Sequence, residues 1–132
     1  MPTRALRQTG DRFVREIAAI DGDVYIPSHG YLALLAGKKP YTNAVAAIEV
    51  VVAADAAGRK AGQEITAAIE QKKFAAIVLN DVRRPGRYHF ESHFRDVIER
   101  SYQRAGTVPA DGARFPDLIS GNTPRELHLP KP

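Results

Sequence analysis

Two short stretches of this chain hold the residue types that chemistry requires. One is Pro27-Ser28-His29-Gly30-Tyr31, which sets a hydroxyl, an imidazole, a glycine and a phenol in succession; the other is Asn80-Asp81, followed closely by Arg83-Arg84. A serine beside a histidine invites a nucleophile–base reading. A hydrolase elbow, however, needs Gly-x-Ser-x-Gly, because the sharp turn tolerates only small flanks. Ile26-Pro27-Ser28-His29-Gly30 keeps only the second glycine. Adjacent side chains also diverge, so His29 is badly placed to take a proton from Ser28. Anion recognition suits these residues better. Free N–H groups at a helix start after Gly30, with Arg83 or Arg84 adding charge, would hold a small anionic ligand. The plainer alternative is a turn with a capping serine. The candidate ligand-binding set is Ser28, His29, Gly30, Tyr31, Asn80, Asp81, Arg83 and Arg84, and it contains no catalytic residue.

Other constellations carry less. His89 and His93 share one helix face if the helix begins at His89, and that spacing is used by metal ligands. His-Phe-Glu-Ser-His is nevertheless not the His-Glu-x-x-His zinc pattern, and no third ligand is evident; a solvated helix start is the better reading. The absence of cysteine removes disulfides, thiolate metal sites and a cysteine nucleophile. Neither a phosphate-binding Walker loop nor a Gly-x-Gly-x-x-Gly fingerprint occurs, so no metal and no cofactor is expected. Lys38-Lys39 reads as surface charge. Residues 83–104 hold six arginines against Glu91, Asp96 and Glu99, the balance of a solvated basic face. The aromatic residues fall on expected core faces instead of alternating with cations on a sheet, so nucleic acid is not an expected partner.

The elements that must position the first set follow from periodicity. Leu6, Gly10, Phe13, Val14 and Ile17 form a helical stripe within Thr3–Ala19, with Thr3 as N-cap. Asp21-Gly22 makes a turn, Val24-Tyr25-Ile26 a short buried strand, and Tyr31–Leu35 a short helix closed by Gly37. Asn43 would cap a helix over Ala44–Ala54, and Ala56–Lys60 would break it. Gln63–Lys72 reads as a second amphipathic helix. Phe74–Asn80 is a continuous apolar run of the kind found in strands covered on both faces. Phe90–Arg104 returns to helix on the stripe Phe90, Phe94, Val97, Ile98 and Tyr102, with Gly106 as the stop.

This order predicts an α/β fold: a small parallel-type sheet of two to four strands flanked by helices, a Rossmann-like partial fold. Residues 31–73 would form a right-handed crossover over one sheet face. Residues 1–106 would be the α/β domain, and 107–132 a Pro/Gly-rich segment packed on it, with an edge strand at 127–129. In such sheets ligands sit beyond the carboxyl ends of the strands, which brings Ser28–Tyr31 toward Asn80–Arg84. The 132 residues suit one domain, the hydrophobic share of 44% and charged share of 26% are those of a globular protein, and the net charge of +4 is mild. No apolar run approaches the roughly 18 residues of a membrane span.

Four runs together resemble a known family. Pro2-Thr3 with Gly10-Asp11-Arg12, then Ile20–Leu32, then Ala36-Gly37-Lys38, then Phe74–Asp81, are similar to the soluble C-terminal portion of bacterial polytopic membrane glycosyltransferases. These are of the GT-C type, similar to dolichyl-phosphate-mannose protein mannosyltransferases and to lipid A aminoarabinose transferases. The similarity covers nearly the whole chain and rests on a strand, a Pro-x-His turn and a Gly-Lys pair. It implies transfer of a sugar from a polyprenyl-phosphate donor by acidic residues on loops between membrane helices, with a soluble domain on the extracytoplasmic, periplasmic side. None of those spans is in this sequence, so the resemblance puts no catalytic residue on any position here. It implies a non-catalytic accessory domain whose partner is the transmembrane part of the same protein, with a lipid-linked sugar or anionic ligand close by. The expectation that competes with it is a free-standing, cytoplasmic α/β module that binds a small anion.

Overall fold

The structure is a computed structural model that describes residues 3–41, 55–81, 90–113 and 123–132. Its first helix, α1 (Arg4–Ala18), starts where Thr3 caps it: the Thr3 hydroxyl accepts from the Leu6 N–H at 3.2 Å. Phe13 and Ile17 are wholly buried beneath it, each contributing about 2 kcal/mol through removal from water. Thr9 joins them on the buried stripe because its hydroxyl donates to the Ala5 carbonyl at 3.0 Å.

A turn then leads into β1 (Val24–Tyr25). Gly22 sits at φ +109°, and a Cβ there would lie 2.9 Å from that of Ala75, so both the backbone conformation and the close approach require glycine. The next helix is α2 (Gly30–Leu35). It ends in a Schellman turn: Lys38 N–H donates to Ala33 O, Gly37 N–H donates to Leu34 O, and Gly37 supplies φ +74°.

The following helix, α3 (Ala56–Glu70), is longer than expected. Ala56–Lys60 does not interrupt it, because Asp55 acts as N-cap and its Oδ1 accepts from Gly58 N–H at 2.7 Å. The helix expected over 44–54, with its Asn43 cap, lies outside the described residues. Helix α3 closes with the same Schellman turn, this time with Lys72 at φ +53° in the left-handed position.

Strand β2 (Ala76–Asn80) is buried throughout. Helix α4 (Phe90–Ser101) then ends earlier than its stripe predicts, since Tyr102–Thr107 forms β3 and not a last helical turn. Tyr102 makes the change of direction. Its hydroxyl donates to Phe74 O at 2.9 Å and accepts from Phe74 N–H at 3.3 Å, which locks the start of β3 to the approach to β2. Burial raises the Tyr102 phenol above its ordinary pKa despite that hydrogen bond, and burial beside Tyr41 raises Tyr25 strongly.

The last strand is β4 (Pro124–Pro130). The sheet order is β1-β2-β4-β3: β1 and β2 are parallel, with Val24 opposite Ala76, whereas β4 runs antiparallel to both β2 and β3. The fold is therefore α/β with an open, mixed four-stranded sheet, not a parallel-type one. The strand expected at the edge over 127–129 is longer and lies in the interior. Helices cover both faces. Phe13, Ile17, Leu32 and Ala33 of α1 and α2 pack on Val24, Ile26, Ala76 and Val78, while Ile65, Ile69, Phe94 and Ile98 of α3 and α4 pack on Tyr25, Ile77 and Leu79. Residues 31–73 thus do not cross a single face, because α2 and α3 lie on opposite ones.

Candidate functional site

Strand β1 leaves the sheet through buried Ile26 and Pro27, and the His29 N–H donates back to Ile26 O at 3.2 Å. That turn points the His29 ring inward, over the end of β2. His29 Nε2 and Asn80 Oδ1 are 3.1 Å apart, and the residues are only 2% and 3% exposed. An amide oxygen only accepts, so the ring nitrogen donates. Two members of the expected set, 51 positions apart, are thereby in direct contact. His29 occupies the N-cap position of α2, yet its side chain spans the strand ends instead of capping the helix.

The other members divide. Asp81 turns toward β4: its N–H donates to Thr123 O at 2.8 Å, and its Oδ2 pairs with Arg125 Nη1 at 3.3 Å. Arg125 Nη2 also donates to Gly112 O at 3.1 Å. Ser28 is half-buried, and Tyr31 is exposed with its ring edge-on to His29, centroids 6.1 Å apart. A Cβ on Gly30 would meet nothing within 4 Å, so neither packing nor φ demands glycine there. Helix α2 has six residues, too few to present a developed N-terminal dipole. Arg83 and Arg84 lie outside the described residues.

Glu91 was read as part of a solvated helix start, but it is 2% exposed, and its Oε1 accepts from Asn80 N–H at 3.1 Å. It faces the end of β2, and its carboxylate accepts from a backbone N–H at the point where β2 pairing with β4 becomes irregular. His93 is exposed, and His89 lies outside the described residues.

A second polar centre escaped the sequence reading. Glu126 and His128 alternate along β4 on the face covered by α4. Glu126 Oε1 accepts from Arg95 Nη1 at 3.3 Å and from His128 Nε2 at 3.2 Å. Burial alone would raise the Glu126 carboxyl, but the His128 hydrogen bond and the charges of Arg95 and Arg104 override it and hold the pKa below the ordinary range. His128 Nδ1 is buried without a hydrogen-bond partner among the described residues. The one available signal is a glutamate and a histidine two apart, alternating with Leu127 and Leu129, which reads equally well as an exposed edge.

Neither centre lines either of two hollows formed by described residues. The larger hollow, an open groove of about 510 Å³ between α3 and α4, is lined by Arg59, Gln63, Thr66, Glu70 and His93. A smaller one of about 150 Å³, at the opposite ends of β1 and β2, is lined by Asp23, Lys39, Tyr41 and Lys73. A general base must come within about 3 Å of the proton it takes, and a buried imidazole already bonded to an amide oxygen does not present itself that way. His29–Asn80 acts as a staple between the turn after β1 and the end of β2. Comparison with known proteins finds no family model, no curated protein and no solved structure that matches the chain.

Proposed function

We propose that the chain is a non-catalytic accessory domain of a membrane glycosyltransferase that uses a polyprenyl-phosphate sugar donor, where it assists donor or acceptor handling on the extracytoplasmic, periplasmic side. The observation that carries this reading is the His29–Asn80 contact, in which a buried imidazole and a buried amide at the ends of β1 and β2 bond to each other and reinforce the fold. The segments that carry the family resemblance, Ile20–Leu32 and Phe74–Asp81, include the two strands that pair in parallel and the turn stapled between them. In this reading that parallel pair is the Rossmann-like part of the fold, and the partner is the transmembrane portion of the same protein. No helix among the described residues is long and apolar enough to cross a membrane, so the spans would be supplied from outside them.

The anion-binding alternative is less well supported. Asp81 brings negative charge to the strand ends and draws Arg125 toward itself.

The test is to express the complete native gene with a C-terminal tag and fractionate the cells. A product well above 14.5 kDa that resists alkaline extraction from membranes is the expected result. A 14.5 kDa product recovered in the soluble fraction overturns the reading.

A further inference from the structure

Helix α2 is apolar on both of its sides. Leu32 and Ala33 are buried against the sheet, while Tyr31, Leu34 and Leu35, at three-and-four spacing, form an outer ridge exposed by 52%, 58% and 66%. Its sequence, Gly-Tyr-Leu-Ala-Leu-Leu, contains no charge, and a helix that is apolar all round ordinarily has both sides covered. The ridge is not a frayed end. The Schellman turn at Gly37 closes the helix, and Lys38 Nζ donates to Ile20 O, tying the exit to the end of α1.

The surroundings of the ridge select its occupant. Helices α1 and α2 pack together on the same sheet face, so their outer sides both look away from the sheet. The outer side of α1 exposes Arg4, Arg7 and Arg15 against Asp11, and Lys39 is exposed just beyond α2. None of those four cations forms an ion pair among the described residues. One helical turn with three apolar side chains is small beside the roughly 800 Å² per partner of a stable protein interface. A bilayer surface requires no shape complementarity. It takes leucines at the acyl boundary, tyrosine at headgroup level and cations on lipid phosphates.

We propose that the outer side of α1 and α2 docks on an anionic bilayer surface, with Leu34 and Leu35 entering the acyl boundary and the arginines and Lys39 on the headgroup phosphates. This does not depend on the glycosyltransferase reading, since a free-standing peripheral protein would use the same surface.

The test is flotation of the 132-residue chain with phosphatidylcholine vesicles, with and without about one third phosphatidylglycerol. Partitioning into the anionic vesicles is expected to be about tenfold stronger, and to fall about tenfold in the Leu34→Glu/Leu35→Glu variant and in about 0.5 M NaCl. Circular dichroism verifies that the variant is folded. The chain has no tryptophan, so Leu35→Trp gives an independent readout: its emission should shift to the blue on adding anionic vesicles. Equal binding to both vesicle types, undiminished binding of the double variant, or an unshifted Leu35→Trp spectrum overturns the proposal. So does a concentration-dependent dimer in sedimentation that the double variant dissolves, because the ridge would then belong to a second copy of the chain.

Discussion

The two helical layers are built on opposite faces of one sheet and solve different problems. The α3–α4 layer adds charge pairs to its apolar packing: Arg100 pairs with Glu70 at 3.6 Å between the helices, Arg95 with Glu99 at 3.7 Å within α4, and Arg95 reaches down to buried Glu126 in the sheet. The α1–α2 layer is fastened to the strand ends by a buried imidazole–amide contact, while its outer side carries cations and a bare apolar ridge. The contrast sets a face tied down by charge pairs against one that leaves three apolar side chains exposed, which is the basis of the docking proposal.

Arg95→Met strikes the charged layer hardest. It leaves Glu126 buried with His128 as its remaining hydrogen-bond partner, and is expected to lower stability by about 2–3 kcal/mol at pH 7 in urea denaturation. The sign of the pH effect follows from the lowered Glu126 pKa. Its contribution is present above the ordinary carboxyl value of 4.5 and is lost as pH falls through the lower folded value, so the gap between wild type and variant should narrow toward pH 3. A gap of constant size would mean that packing of the arginine stem, not charge, holds the layer.

In the other layer, His29→Leu strands the Asn80 amide oxygen in the interior. It should cost about 2 kcal/mol, with a coupling of about 1 kcal/mol in a double-mutant cycle with Asn80→Leu. Zero coupling would remove the staple from the comparison.

The Schellman turns give a finer contrast. Gly37→Ala at φ +74° should destabilise by about 1 kcal/mol, whereas Lys72→Gly at φ +53° should stabilise by about 0.5–1 kcal/mol, both read as shifts in thermal midpoint. Smallest of all, Leu34→Glu/Leu35→Glu should leave stability within about 0.5 kcal/mol of wild type, because the ridge makes little contact within the fold. A larger loss would show that the ridge is already covered by this chain.

The α1–α2 layer was the more legible from sequence, because its signals are local. Thr3 before a helical stripe, Gly22 at a tight turn and Gly37 after a short apolar run each act within a few residues, and the strand-end rule brought His29 and Asn80 together. The other layer depends on partners distant in sequence. Phe94, Ile98 and Tyr102 keep helical phase, so periodicity carries α4 past its real end, and only pairing with β4 makes Tyr-Gln-Arg-Ala-Gly-Thr a strand. In β4 the buried side toward α4 carries Glu126 and His128, while Leu127 and Leu129 face α1 and α2. The alternation therefore reads as a strand with one side in solvent and gives no sign that both sides are covered. Asp55 overrode the glycine at 58, a contest between cap and propensity that the sequence alone does not decide.

The position of β4 also bears on how the protein is made. Among the described strands, β2 and β3 are not neighbours; the segment that joins them into one sheet is translated after both of them. Without residues 124–130, β2 and β3 lose the ladder partner they share, and Arg95 has no buried carboxylate to meet. A chain stalled short of Pro124 would therefore be a substrate for chaperones and proteases, not a smaller version of the same domain.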